Sequence, residues 1–224
     1  MIFLMDTKSQ NLPEQANVVL LHGLGRSYRI MNGMASYLRQ HEYNVFNIDY
    51  PSTKHSIPQL AEMIYQQIQP LYELNTPLHF VGHSMGGIII RYLLTQQRPK
   101  NLGRVVMLAS PNHGSRVINW LRKIWLFRKV YGPGALQLAE GKRGLYNQLP
   151  TVDYETGVIA GDSAIDLLFW FFLKKPNDGK VTVKSTRVAG MKDHIVLPVA
   201  HPFTPQNKQV RKQTREFLQR GRFA

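Results

Sequence analysis

A serine between two glycines, placed directly after an apolar run, constrains the fold of this chain more than any other feature. Residues 78–81 read LHFV, residues 82–86 read GHSMG, and residues 87–94 are mostly apolar. The first run predicts a short buried strand, and the last has room for a helix. Glycines on both sides of Ser84 are expected where a side chain would collide with neighbouring backbone. The segment therefore predicts a strand, a sharp turn that carries Ser84, and a helix.

This strand–turn–helix context is typical of the G-x-S-x-G nucleophile elbow, in which the serine is exposed on a strained turn. A serine in that position is placed to attack a carbonyl carbon. The alternative interpretation is an ordinary glycine-rich turn in which Ser84 only caps the helix. Glycine at positions 82, 86 and 87 exceeds what a helix cap requires. The pattern therefore favours the elbow and makes Ser84 the candidate nucleophile.

Short apolar runs alternate along the chain with segments of helical periodicity. The predicted strands cover residues 17–21, 44–50, 78–81, 104–109, 156–161 and 193–197. The predicted helices cover residues 28–40, 58–69 and 206–220, together with the segment after Gly87. Such alternation predicts a mostly parallel sheet with helices on both faces. We expect a single α/β domain over residues 1–224, with an insertion at about 116–150, where no strand is evident.

The composition constrains partners and location. The chain carries 28 Lys and Arg against 14 Asp and Glu, a net charge of +14, and such a field favours anionic partners. The basic residues are dispersed and no nucleic-acid motif occurs, so we expect no specific nucleic-acid binding. The absence of cysteine excludes disulfides and thiolate metal sites. It fits a cytoplasmic location, which we expect because the sequence shows neither a signal peptide nor an apolar run of membrane-spanning length.

A nucleophilic serine requires a histidine base, and the base requires an acid that orients it. Where an elbow carries a catalytic serine, the chain order is serine, acid, histidine. Among the downstream histidines, His201 follows the last predicted strand, at the carboxyl edge of the sheet, where ligands bind in open α/β folds. His113 lies too early for this order, and His194 begins a strand. We therefore predict His201 as the base.

The residues alone leave the acid open. The downstream candidates are Asp153, Asp162, Asp166, Asp178 and Asp193, with Glu140 and Glu155 as weaker ones. Asp178 lies in an Asn-Asp-Gly turn, after which apolar structure resumes. Asp162 directly follows the strand predicted at 156–161 and is equally suited to cap a helix that begins near Ser163.

The developing oxyanion of an acyl transfer requires two preorganised backbone N–H groups. The residue after the nucleophile, Met85, supplies one of them. The loop after the first predicted strand reads HGLGR at residues 22–26, and glycine on both sides of Leu24 allows its amide to turn inward. We therefore predict Leu24 and Met85 as the oxyanion hole. The scattered histidines show no metal-ligand spacing, so no metal or cofactor is expected.

Taken together, these motifs resemble those of the α/β-hydrolase superfamily, in particular its small bacterial serine lipase and esterase branch. The resemblance lies in residues 19–26, 81–87, 108–115 and 177–201. In that branch the aspartate of an Asn-Asp-Gly turn and the histidine after the last strand complete the triad. The resemblance therefore implies Asp178 as the acid and again His201 as the base. It also implies an α/β-hydrolase fold whose lid-like insertion follows the sixth strand of the family.

The insertion carries the features that bear on the substrate. On a helical wheel, the apolar residues of 116–130 fall on one half and most of the cations on the other. This pattern indicates a lid or interfacial helix that covers an acyl pocket and contacts anionic lipid, or else an amphipathic helix packed on the domain surface. The aromatic run at 170–173 is expected to form either a second wall of that pocket or part of the core.

The resemblance implies hydrolysis of carboxylic esters, from small molecules or lipids, through an acyl-enzyme and without a cofactor. An acyltransferase would use the same acyl-enzyme with an alcohol other than water. A non-catalytic hydrolase-fold module that binds a lipid or a protein is the third hypothesis. The triad pattern does not separate the first two, and it leaves acyl length and oligomeric state open.

Overall fold

The computed structural model describes residues 15–141, 144–164 and 173–224. Its centre is a parallel sheet of six strands in the order β2-β1-β3-β4-β5-β6. The strands are β1 (Asn17–Leu21), β2 (Asn44–Ile48), β3 (Leu78–His83), β4 (Leu102–Leu108), β5 (Thr156–Gly161) and β6 (Asp193–Leu197). The predicted parallel α/β architecture is confirmed, and each predicted strand is present with small shifts at its ends.

Helices connect the strands. They are α1 (Asn32–Arg39), α2 (Ile57–Ile68), α3 (Met85–Gln96), α4 (Arg116–Leu121), α5 (Trp125–Gln137), α6 (Val183–Thr186) and α7 (Lys208–Arg220). Short 3₁₀ turns lie at Tyr28–Met31, Gln69–Glu73, Leu145–Gln148 and His201–Gln206. The start of α2 is fixed by a capping box between Ser56 and Gln59 and by Pro58 in its first turn.

The sheet is covered on both faces, and its strand residues alternate between the two sides. On one side Leu21, Phe80 and Met107 pack with α2 and α3. On the other, Leu20 and Val81 pack with α1 and α7. Both sets are fully buried, which explains why these strands read as continuous apolar runs rather than as an alternation.

The insertion follows β4, the strand that the resemblance equates with the sixth of the family. The prediction of a single helix over residues 116–130, which the wheel pattern favoured, is wrong. The structure forms α4 and α5 instead, because the backbone at Ile124 is extended, with φ −84° and ψ 118°. A second interruption lies inside α5 at Gly132, where φ is +66° before Pro133.

The aromatic run at 170–172 lies outside the described residues, so neither interpretation of it is tested; Leu173, which follows, is buried. Within the described ranges, no helix is long and apolar enough to span a membrane.

Candidate active site

Ser84 stands on a strained turn between β3 and α3. Its φ of +54° and ψ of −118° lie in a region that residues other than glycine rarely adopt. The flanking glycines are required by space. A Cβ atom at Gly82 would lie 2.5 Å from the backbone nitrogen of Gly87, and one at Gly86 would lie 2.5 Å from the carbonyl oxygen of Leu21. The glycine pattern in the sequence thus reflects the close approach of α3 to the strand ends.

His201 reaches Ser84 from the loop that follows β6. The Nε2 atom of His201 lies 3.1 Å from the Oγ atom of Ser84. His201 is buried, whereas Ser84 is partly exposed. The distance is within hydrogen-bond range, so the neutral imidazole can accept the hydroxyl proton of Ser84.

Asp178 completes a chain of three side chains. Its Oδ2 atom lies 2.7 Å from Nδ1 of His201, and Asp178 is buried. The other carboxylate oxygen accepts hydrogen bonds from the backbone amides of Lys180 at 2.9 Å and Val181 at 2.7 Å. This turn requires Gly179 at a φ of +92°. The Asn-Asp-Gly signal in the sequence is therefore a turn that holds the carboxylate in place.

The rival residues lie apart from this chain of hydrogen bonds. Asp162 is exposed and accepts only a 3.5 Å hydrogen bond from Ser163 among the described residues. His113 is exposed, and His194 contacts the hydroxyl of Thr186 at 3.1 Å.

The weaker acids have partners elsewhere. Asp153 pairs with Arg98, Glu155 with Arg104 and Lys192, and Glu140 with Arg116, while Asp193 bonds backbone amides, including that of Phe223. Asp166 lies outside the described residues.

The loop that carries Leu24 is held by the segment that follows β2. The amide of Gly25 donates to the hydroxyl of Ser52 at 3.0 Å, and the Tyr50 hydroxyl donates to the carbonyl of His22. The rings of His22 and Tyr50 stack with centroids 4.0 Å apart. Burial lowers the pKa of His22. These contacts fix the turn in which Leu24 lies between two glycines.

Met85 is the first residue of α3, so its N–H has no partner within the helix. The roles of Leu24 and Met85 as oxyanion donors remain predictions.

His83 is a further residue of the site, although its role was not predicted from the sequence. Its Nε2 lies 3.1 Å from the backbone carbonyl oxygen of His201, and its ring centroid lies 5.0 Å from that of His201. Burial, followed by the nearby His201, holds the pKa of His83 well below its usual range. The neutral ring therefore donates to the loop that carries the candidate base. The signal was its place at the end of a buried strand.

A cavity of about 460 Å³ opens beside Ser84 and His201. Its apolar wall comes largely from the insertion and includes Val117, Ile118, Leu121, Phe127, Tyr131 and Leu138. Two cations, Arg26 and Lys180, also line it. The arrangement can hold an apolar chain next to the serine. Among the described residues, no group of three or more His, Asp or Glu side chains could hold a metal ion.

The parallel sheet and the serine on its strained turn define a protein with an α/β-hydrolase fold. The chain belongs to the alpha/beta hydrolase family, whose model matches residues 18–221. This membership confirms the superfamily that the motifs resemble.

Solved structures share the fold. The mature lipase of Bacillus licheniformis is similar at a TM-score of 0.77 and 19% identity, over 92% of each chain. Phospholipase PlaB of Legionella pneumophila is similar at a TM-score of 0.65 and 17% identity, over 84% of this chain and 53% of its own. A metagenomic carboxyl esterase is similar at a TM-score of 0.65 and 17% identity, over 85% of this chain and 65% of its own. No curated protein sequence matches significantly.

Proposed function

We propose that the protein is a serine hydrolase that cleaves carboxylic esters through an acyl-enzyme. The observation that carries this proposal is the continuous chain of hydrogen bonds from Asp178 through His201 to Ser84. A serine becomes a nucleophile when a histidine accepts its proton and an acid holds that histidine in the correct tautomer. The names of the similar structures, which include a lipase, a phospholipase and a carboxyl esterase, favour an ester as substrate.

In the first half of the reaction, Ser84 Oγ attacks the carbonyl carbon of the ester while His201 Nε2 takes the hydroxyl proton. The carbonyl oxygen becomes an oxyanion that accepts hydrogen bonds from the amides of Leu24 and Met85. The carbon–oxygen bond to the alcohol then breaks, and His201 gives its proton to the leaving alcohol. The acyl group remains on Ser84.

In the second half, water takes the place of the alcohol. His201 accepts a proton from the water as its oxygen attacks the acyl carbon, and the same amides hold the second oxyanion. The bond to Ser84 breaks, Ser84 recovers its proton from His201, and a carboxylic acid leaves. Throughout, Asp178 stabilises the protonated form of His201 without itself taking the proton.

The test is hydrolysis of a short p-nitrophenyl ester by the wild-type protein and by Ser84→Ala. The variant should lose about 10³-fold or more of the rate, because removal of a triad member leaves only binding and the oxyanion donors. The matched control is Ser36→Ala, at an exposed serine of α1, which should keep full activity. A fluorophosphonate probe should label the wild type and fail on Ser84→Ala. Full activity in Ser84→Ala would disprove the mechanism.

A further inference from the structure

The insertion presents an exposed apolar surface. Four large apolar side chains at the start and along one side of α5 stand well exposed: Ile124 at 52%, Trp125 at 61%, Leu126 at 56% and Val130 at 52%. Soluble domains rarely leave such residues together on the outside without a partner. We refer to the side chains of residues 122–130, apart from that of Phe127, as the docking surface.

The docking surface is strongly basic. It contains Arg122, Lys123, Arg128 and Lys129, and the sequence has no acidic residue between Glu73 and Glu140. In the part of the chain that the structure describes, no salt bridge involves any of these four cations; the nitrogen of Lys129 lies over the ring of Trp125, 5.4 Å from its centroid. Their charges are therefore available to an anionic partner.

The same insertion also lines the cavity beside the candidate nucleophile. Leu121, Phe127 and Tyr131 line that cavity, while Trp125 and Leu126 are exposed to solvent. The two sets of side chains point in different directions from one short segment. Whatever covers the docking surface consequently sits next to the cavity that the proposed function assigns to the acyl chain.

We propose that the docking surface binds an anionic lipid bilayer and that the ester substrate is presented by that bilayer. Aromatic and aliphatic side chains flanked by lysine and arginine enter the boundary between headgroups and acyl chains, and each cation near such a surface adds attraction to lipid phosphates. A second copy of the chain fits poorly, because each copy carries a net charge of +14 and like charges repel. The part of this inference that concerns the substrate rests on the proposed function.

Vesicle flotation tests the docking. The probe vesicles contain equal parts of phosphatidylglycerol and phosphatidylcholine, and the reference vesicles contain phosphatidylcholine alone. Wild-type protein and Ser84→Ala should both float with the anionic vesicles at about 0.1 M salt. They should remain unbound at about 1 M salt, where the Debye length falls from ~10 Å to ~3 Å. Equal binding to the two vesicle types, or none to either, would overturn the proposal.

Paired variants locate the surface. Trp125→Ser combined with Leu126→Ser should weaken the partition onto anionic vesicles at least about tenfold, because the apolar area that enters the bilayer is lost. Lys123→Gln combined with Arg128→Gln should weaken it about fivefold for each charge removed. Leu74→Ser and Lys100→Gln change exposed residues just before the amino ends of β3 and β4, whereas the insertion follows the carboxyl end of β4. They should leave the partition unchanged. Circular dichroism confirms that each variant is folded.

The outcomes separate this inference from the proposed function. Docking is measured in Ser84→Ala protein, so it does not depend on the reaction. If Ser84→Ala floated normally and kept full esterase activity, the mechanism would fail while docking stood. If the docking-surface variants floated like the wild type, docking through this surface would fail while the mechanism stood. Light scattering that showed a dimer lost in the Trp125 and Leu126 variant would assign the surface to a second copy and overturn the proposal.

Discussion

Asp178 and His201 are joined by hydrogen bonds at two levels, one between side chains and one between backbones. The Oδ2 atom of Asp178 lies 2.7 Å from Nδ1 of His201, and the backbone amide of His201 donates to the carbonyl of Asp178 at 3.0 Å. The backbone bond ties the two loops together independently of the carboxylate. A variant that alters only the carboxylate can therefore test chemistry without moving the loop.

Asp178→Asn is expected to abolish most activity while the protein stays folded. The asparagine oxygen can still accept the amides of Lys180 and Val181, which hold the turn now. Its NH₂ group would then face Nδ1 of His201 and favour the wrong tautomer, at a cost of about 10⁴-fold in kcat. Ester hydrolysis and thermal unfolding measured on the same sample check both halves of this expectation.

The control for that experiment is Asp162→Asn, at the exposed rival acid. It should keep wild-type kcat. If Asp162→Asn lost activity and Asp178→Asn kept it, the assignment of the acid would be reversed.

His83 is predicted to act as a positioning residue for His201. His83→Leu removes the donor that bonds the carbonyl of His201 at 3.1 Å, so the loop loses a buried hydrogen bond of about 1 kcal/mol. We expect kcat to fall about tenfold, since misplacement of a catalytic group by a fraction of an ångström is costly. KM should change little, because the side chain of His83 is buried and its hydrogen bond goes to the backbone of His201 rather than into the cavity.

His83→Gln serves as the matched variant, because its amide can donate from nearly the same place. It should recover most of the kcat lost in His83→Leu. Equal losses in both variants would show that the ring supports the fold rather than the position of His201.

The cavity wall is predicted to set acyl length. Ile118 lines the cavity and is nearly fully buried, so Ile118→Trp would fill part of the 460 Å³. Hydrolysis of long-chain p-nitrophenyl esters should drop at least about tenfold more than hydrolysis of the acetate, because only the longer chain needs the lost volume. A parallel loss across the whole chain-length series would mean that this cavity does not hold the acyl group.

The parallel sheet and the turn that carries Ser84 were predictable from the sequence for physical reasons. Strands buried on both faces must be continuously apolar, and the runs at residues 17–21 and 156–161 coincide with β1 and β5. The tight turn around Ser84 was predictable from Gly82 and Gly86, because backbone atoms occupy the space where a Cβ atom at either position would lie. Both signals are local, so the sequence alone carries them.

Long-range geometry was not predictable in the same way. Asp162 and Asp178 are both acids downstream of Ser84. Only the packing of the loop after β6, which carries His201, decides which of them His201 contacts. The role of His83 depends on that same loop. The break at Ile124 escaped the helical wheel, because an apolar residue satisfies the wheel whether its backbone is helical or extended.

Stability is predicted to fall on acidification, and His79 is one measurable cause. Its ring is buried, and its Nδ1 accepts the amide of Arg104 at 2.7 Å. Burial, aided by the charge of Arg104, lowers the pKa of His79 to about 4. The unfolded chain binds a proton near the ordinary histidine pKa of about 6.5. Between these values the unfolded state holds a proton that the native state does not.

The contribution of His79 to the free energy of unfolding should therefore be fully present above pH 6.5 and decline as the pH falls toward 4. The decline for one such histidine is about 1.4 kcal/mol per pH unit. His79→Gln removes this titration but keeps an oxygen that can accept the Arg104 amide. Urea unfolding at pH 7 and pH 5, at constant ionic strength, should show a smaller difference between the two pH values in His79→Gln than in the wild type. An unchanged difference would show that His79 takes no part in the acid sensitivity.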